Sequence, residues 1–348
     1  MISYHQNKAK YSKVALYMLA AIVILFAVAC SIGSANIGML ESLRILWSGI
    51  PFIGKLLPQV NTPDSFQIIL LQVRLPRAIL SFLVGGALAI MGASLQGMFK
   101  NPLADPHILG ISAGAGLGAT IAIILGLRDS FAGIGSVTGF AFIGAIGAVF
   151  LVYALSRVKG RITTSSLLLA GIAVSSLVTA LISALMILNR NKLEQVVLWT
   201  MGSFSTTGWT QLIWSAPLIL IGALLSWFFA RDLNLLLLGD EEARHLGVEI
   251  QKTKRWLLII TSFTTAAAVS VSGIIGFVGL MVPHMVRLVL GPDHRVLLPF
   301  SFLTGGCFLL LVDTLARTVA SPLEIPVGIL TAILGGPFFL YLLRKRGI

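Results

Sequence analysis

Arg74 and Arg77 flank Leu75-Pro76 in the stretch Gln72-Val-Arg-Leu-Pro-Arg77, which opens a long Gly-rich apolar run and is followed by Asn101-Pro-Leu-Ala-Asp-Pro106. A guanidinium is a planar fork of donors that holds a carboxylate or phosphate through two parallel hydrogen bonds, so two of them at the mouth of an apolar helix read as a docking or gating surface. Asp313 and Arg317 are four residues apart, on one face of a helix, as in a structural ion pair at a helix end or a proton relay. The ion pair is favoured, because most of the thirteen Asp and Glu fall between apolar runs instead of within them. His5, His107, His245, His284 and His294 contain no HExxH pair, and the lone histidine of Met281-Val-Pro-His284 beside a proline reads as a satisfied helix-break residue. Cys30 and Cys307 lie far apart in apolar runs, which supports neither a disulfide framework nor a metal site. A phosphate loop of the GxxxxGK[ST] kind is absent, so the chain does not hydrolyse ATP by that machinery.

The elements that must position these groups are set by composition. Of 348 residues 57% are hydrophobic and 11% charged, and the mean hydropathy is +0.95. That much apolar surface cannot be hidden in one water-facing fold, so the chain is an all-α polytopic membrane protein. Ten runs approach the ~20 residues that a bilayer core requires, at roughly 14–33, 67–98, 108–127, 135–156, 163–188, 211–230, 255–272, 274–290, 296–316 and 326–343. The second is too long for one perpendicular crossing and must tilt or begin outside the hydrocarbon. The first follows Lys8, Lys10 and Lys13 and is read as a retained helix, not a cleaved signal. The net charge of +12 reflects short basic clusters between runs, a topology signal more than a nucleic-acid surface. With the N-terminus inside, 17 Lys and Arg fall on the cytoplasmic side and 8, including Arg74, Arg77 and Arg317, fall outside, which puts both termini in the cytoplasm. The weakest boundary is Ser272-Gly-Ile-Ile-Gly276, where a re-entrant turn is tolerated only under protein cover.

Gly110, Gly114 and Gly118 recur every four residues and predict a flat helix stripe that another backbone can approach. The longest charged loop, Leu235 to Val248, predicts a short helix of roughly two turns: Asp240 as cap, Glu241 and Glu242 in the first turn, Arg244 and His245 in the last, Gly247 as stop. Ala243 and Leu246 share a small apolar edge on it. Taken alone, this helix is either a solvated connector or a docking element.

Six segments in order carry a specific resemblance: Arg74-Leu-Pro-Arg77, Gly85-Gly-Ala-Leu-Ala, Asn101-Pro-Leu-Ala-Asp-Pro106, Gly239 to Val248, Gly276-Phe-Val-Gly-Leu-Met-Val-Pro-His284 and Glu324-Ile-Pro-Val-Gly328. Over about residues 14–343 the chain resembles the membrane permeases of type II ATP-binding-cassette importers for vitamin B12, haem and iron-siderophores. The resemblance implies one permease domain over residues 1–348, with a cytoplasmic tail at 1–13 and a cytoplasmic coupling loop at 231–254. It implies a homodimer in the plasma (inner) membrane of a prokaryote, two ATP-binding subunits that carry the ATP and Mg, and a periplasmic or lipid-anchored substrate-binding protein. The cargo would be a metal chelate, and the chain itself would bind no metal or cofactor and catalyse nothing. By the same resemblance Asp240, Glu241, Glu242, Ala243, Arg244, Leu246 and Gly247 would couple to the ATPase. Asn101, Leu103, Thr163, Thr164 and Ser165 would close the inner mouth, and Arg74, Arg77 and Arg317 would dock the binding protein. Trp199 to Phe204, before Gly208, would form a short external helix. A proton- or ion-coupled secondary transporter is the competing class, but it calls for acids buried at mid-span and leaves the capped loop helix without a role.

Overall fold

The computed structural model describes residues 8–33, 38–48, 63–127, 130–131, 134–158 and 161–346. Much of the 1–13 tail, most of the 37–66 segment, Arg128 and Lys159 lie outside them, as does the side chain of Thr164. The helices are α1 Lys8–Ser31, α2 Met39–Ser48, α3 Asp64–Phe99, α4 Ile111–Ile124, α5 Ser136–Leu155, α6 Thr164–Leu188 and α7 Leu193–Thr200. They continue as α8 Trp209–Phe228, α9 Ala230–Leu236, α10 Asp240–His245, α11 Ile250–Ser272, α12 Val278–Leu290, α13 His294–Ala316 and α14 Val327–Arg346. Two-residue hairpin strands close the turns before and after α5: Ser130–Phe131 with Ile134–Gly135, and Arg157–Val158 with Arg161–Ile162. Seven helices are long and apolar enough to cross a membrane, and α4, α12 and α14 are shorter apolar helices, so each of the ten apolar runs became a helix.

The centre of the bundle is α3, buried from Ser81 to Met98 but for a few side-chain edges. After an α turn at Asp64–Ile68 it runs through a π turn, Ile69–Arg74, which ends two residues before Pro76. Proline lacks an N–H and its ring crowds the carbonyl four residues back, and a π turn takes up the mismatch without ending the helix. This is how a run too long for one crossing stays continuous. Glycines let neighbouring backbones touch α3: a Cβ on Gly85 would strike the Gly305 carbonyl of α13, and one on Gly92 would strike Gly279 of α12. Gly114 and Gly118 do the same for α4 against Gly144 and Phe140 of α5. Between helices solvated by lipid there is little hydrophobic drive, so close backbone contact supplies the association energy. Gly110 is not part of that stripe; it precedes α4 with φ +77°, a turn position where glycine avoids the Cβ penalty.

The junction between α11 and α12 is an unwound segment covered by protein, as a re-entrant turn must be. Its carbonyls are occupied: Ser203 N–H donates to Ser272 O at 2.8 Å, and the His107 ring Nε2 lies 2.9 Å from Ile275 O. Phe277 ends the segment at φ 67°, a strained backbone for an aromatic residue, with its side chain against Gly335 of α14. On the outside of the bundle Leu16, Phe150, Leu169 and Phe228 are exposed, which suits contact with lipid or with another subunit.

Candidate functional site at the two ends of the bundle

Arg74 and Arg77 sit at one end of the 25-residue segment Leu75–Phe99 of α3 and Lys100 at the other, about 37 Å apart at 1.5 Å per residue. The ion pairs of Arg77 with Asp313 and Glu324 lie at the first end, and those of Asp240 with Lys100 and Lys254 at the second.

At the arginine end, Arg77 reaches from α3 to α13 and grips Asp313 bidentately, with Nε 3.1 Å from both carboxylate oxygens and Nη2 2.8 Å from Oδ1. Its remaining edge holds Glu324, with Nη1 at 3.0 and 3.1 Å from the two oxygens. Asp313 is 1% exposed at its side chain and Glu324 39%, so one carboxylate is locked inside and the other lies at the rim. Arg74 donates to Cys30 O at 2.8 Å and Ser31 O at 2.9 Å, and Arg317 donates to Ala29 O. These are the last carbonyls of α1, which have no partner inside their own helix and attract cations.

Two expectations change here. Asp313 pairs with Arg77, not with Arg317 four residues on: Arg317 is the cap residue after the last turn of α13, where its side chain turns to α1. The three arginines, read from the sequence as a docking or gating surface, are only 5%, 6% and 8% exposed. Glu324 stands 247 residues from Arg77, so no local pattern carries the pairing.

At the other end, α10 begins at Asp240 as expected, but its cap is Gly239 at φ 141°. Asp240 is free to bridge instead: Lys100 Nζ lies 2.8 Å from Oδ1 and Lys254 Nζ 3.0 Å from Oδ2. The hydrogen bond from Lys100, with Lys254 adding to it and partial burial opposing, holds the Asp240 carboxyl below the ordinary Asp range. The helix stops in a Schellman motif, Val248 N–H to Ala243 O at 3.0 Å and Gly247 N–H to Arg244 O at 3.0 Å, with Gly247 at φ 87°. The expected shared edge is split. Ala243 is fully buried in a small cluster with Leu236, Val248 and Ile250, whereas Leu246 is 52% exposed. Glu241, Glu242, Arg244 and Gly247 are all exposed around it. Leu237 and Leu238, just before α10 in the chain, are also exposed, at 43% and 63%.

Lys100 has φ 52°, and the chain turns there out of α3 by a second Schellman pair, Asn101 N–H to Gln96 O and Lys100 N–H to Gly97 O. Asn101 Oδ1 then accepts the Leu103 N–H at 2.9 Å, folding the loop on itself. Leu103, 38% exposed, borders an apolar crevice with Phe277, Met281, His284 and Phe338. Thr163 caps α6 in a reciprocal pair with Ser166, at 3.1 and 3.2 Å, and Ser165 is exposed in the first turn. Thr163 shares a cavity of about 300 Å³ with Asp240, and neither Asn101 nor Leu103 lines it, so within one chain the expected gate residues form two separate walls. The short helix expected at 199–204 lies earlier, at Leu193–Thr200; Ser203 to Gly208 is a loop, bordering a cavity of about 570 Å³ rich in Ser, Thr and Gln.

A family model matches residues 20–345, nearly the full bundle just described. The chain belongs to the FecCD transport family. It is 44% identical over 333 residues to the hemin transport system permease protein HmuU of Yersinia pestis, covering 94% of this chain and 96% of that one. It is 49% identical over 290 residues to the cobalamin import system permease protein BtuC of Halobacterium salinarum, covering 83% and 77%. A solved structure of a metal-chelate type ABC transporter in an inward-facing conformation matches with a TM-score of 0.81 at 32% identity, over 96% of this chain and 99% of that one. The chain is thus a multi-pass plasma (inner) membrane protein of the ABC-permease type.

Proposed function

We propose that this FecCD protein is the membrane pathway of an ATP-driven importer that moves a metal chelate into the cytoplasm as a homodimer. Both termini then lie in the cytoplasm, two ATPase subunits holding ATP and Mg bind at the α10 end, and a substrate-binding protein docks at the arginine end. The observation that carries this reading is α10. It is a surface helix stopped at both ends by glycine, rooted through buried Ala243 and clamped by Asp240 to the end of α3, yet presenting Leu246 outward. Such a helix moves as one piece with α3 and the Asn101 loop when a partner pushes on it. A haem or cobalamin cargo is supported by the two permeases named above, and a metal chelate such as an iron-siderophore by the metal-chelate type structure; no site on this chain grips a metal in the reading. Docking through Arg74, Arg77 and Arg317 works by exchange: a partner carboxylate displaces Glu324, the exposed member of the Arg77 triad. The test is reconstitution of the purified chain with and without its nucleotide-binding subunit; ATP hydrolysis and chelate uptake should need both, and robust hydrolysis by the chain alone overturns the reading.

The inner gate is Asn101 and Leu103 on one wall and Thr163, Thr164 and Ser165 on the other, the two walls meeting across the homodimer. Cysteines placed at Asn101 and Thr164 should react with a membrane-impermeant thiol reagent from the cytoplasmic side, several-fold faster in one nucleotide state than in the other. Labelling that ignores nucleotide removes these residues from the gate.

A further inference from the structure

The cavity of about 300 Å³ beside Asp240 is enclosed by the same-side ends of α3, α5, α6, α10 and α11. Its inner wall is apolar, with Met98, Phe99, Leu167 and Leu258, and its outer wall carries Arg157, Lys254 and Arg255. The one acid on the lining, Asp240, already accepts from Lys254 and from Lys100 beside it. The side chains of Arg157 and Arg255 make no hydrogen bond or ion pair among the described residues, so the cavity holds at least two cations without an anion. The N-terminal turns of α6 and α11 face it as well and add partial positive charge.

The depth and the surroundings indicate what kind of anion fits. The cavity lies where helices of the apolar bundle end, the part of a spanning bundle expected to meet the headgroups. Trp256, 49% exposed, stands next to Arg255, and Tyr153 lines the opening, the amphipathic aromatics of a membrane interface. Toward the bundle middle, one turn from Tyr153, α5 exposes Phe150 at 73%, an apolar surface against which an acyl chain can lie. A soluble anion needs no such surface.

We propose that this cavity binds the phosphate of an anionic phospholipid, with Arg157 and Arg255 on the headgroup and α5 against an acyl chain. Basic pockets between membrane helices recognise acidic headgroups in this way. Because Asp240 of α10 is part of the wall, a bound lipid would stiffen the junction between α10, α3 and α11.

The full chain, stripped of lipid in detergent, is titrated with dioleoyl-phosphatidylglycerol, dioleoyl-phosphatidylcholine, or inorganic phosphate, and occupancy is read by native mass spectrometry. One phosphatidylglycerol per chain should be retained where phosphatidylcholine is not. Arg157→Gln with Arg255→Gln should weaken it roughly ten- to thirtyfold, at about tenfold per 1.4 kcal/mol. The Arg157→Lys, Arg255→Lys pair should keep the preference, and Arg231→Gln with Arg295→Gln, away from the lining, should leave it unchanged. Equal retention of both lipids, or no effect of the glutamine pair, overturns the proposal. Competition by millimolar inorganic phosphate identifies a free-anion site, and displacement of lipid by the ATPase subunit together with weaker assembly of the glutamine pair assigns the cavity to that partner; either result also overturns it.

Discussion

Arg77→Met is expected to lower the stability of the chain by about 3–5 kcal/mol, because it removes the one cation that, among the described residues, is bonded to a carboxylate 1% exposed. Asp313 would be left charged inside α13, and desolvation of an unpaired ion is what makes half a buried pair so costly. Thermal unfolding in detergent, followed by tryptophan fluorescence, should show a clear fall in midpoint. Arg77→Met combined with Asp313→Asn should recover most of it, since a neutral amide costs far less to bury than a charge. Glu324→Gln should change stability by under about 1 kcal/mol, as its partner contact is at the solvent edge and its side chain is 39% exposed. The same variants separate structure from docking. Glu324→Gln should tighten capture of the loaded binding protein in low salt by vacating one edge of Arg77, while the recovered double variant should remain unable to capture it. An unfolding midpoint of Arg77→Met equal to that of the native chain would sink the pairing, and capture indifferent to Glu324→Gln would leave Arg77 a purely internal residue.

Leu246→Asp is expected to abolish assembly with the ATPase subunit while leaving the chain as stable as before. At 52% exposure the new carboxylate stays in water in the free chain, within about 0.5 kcal/mol of the native stability. In the complex it would be forced into an apolar cleft, and loss of the leucine contact with an unpaired charge should weaken association by a hundredfold or more, about 3 kcal/mol. Ala243→Asp should behave in the opposite way. Its Cβ is fully buried against Leu236, Val248 and Ile250, so the charge disrupts the root of α10 and lowers the yield of folded protein. Pull-down of the ATPase subunit and size-exclusion profiles distinguish the two. Equal effects of both changes, or undiminished assembly of Leu246→Asp, would place α10 outside the ATPase contact.

Much of the architecture was written in patterns that need no partner to be read. Ten apolar runs became ten helices, because a bilayer forces each crossing to satisfy its own backbone within one segment. The short α10 was visible for a similar reason: Gly239 and Gly247 bracket a stretch with acids first and bases last, all local information. The protein-covered break after Ser272 was legible from glycine spacing, although the strain at Phe277 was not, since no propensity assigns a positive φ to an aromatic. Side-chain partners were decided only by the tertiary structure. Helix periodicity paired Asp313 with Arg317, but packing brought Arg77 from 236 residues away onto that carboxylate with better geometry, and the rim carboxylate came from 247 residues away. Asp240 read as a cap because Asp suits that position, yet Gly239 took it and left the carboxylate to Lys100 and Lys254. A repeat along the chain shows which residues share a face of one helix; which helix that face meets depends on three-dimensional packing, and so the sequence determined which long stretches are helices, and the fold determined the charges that join them.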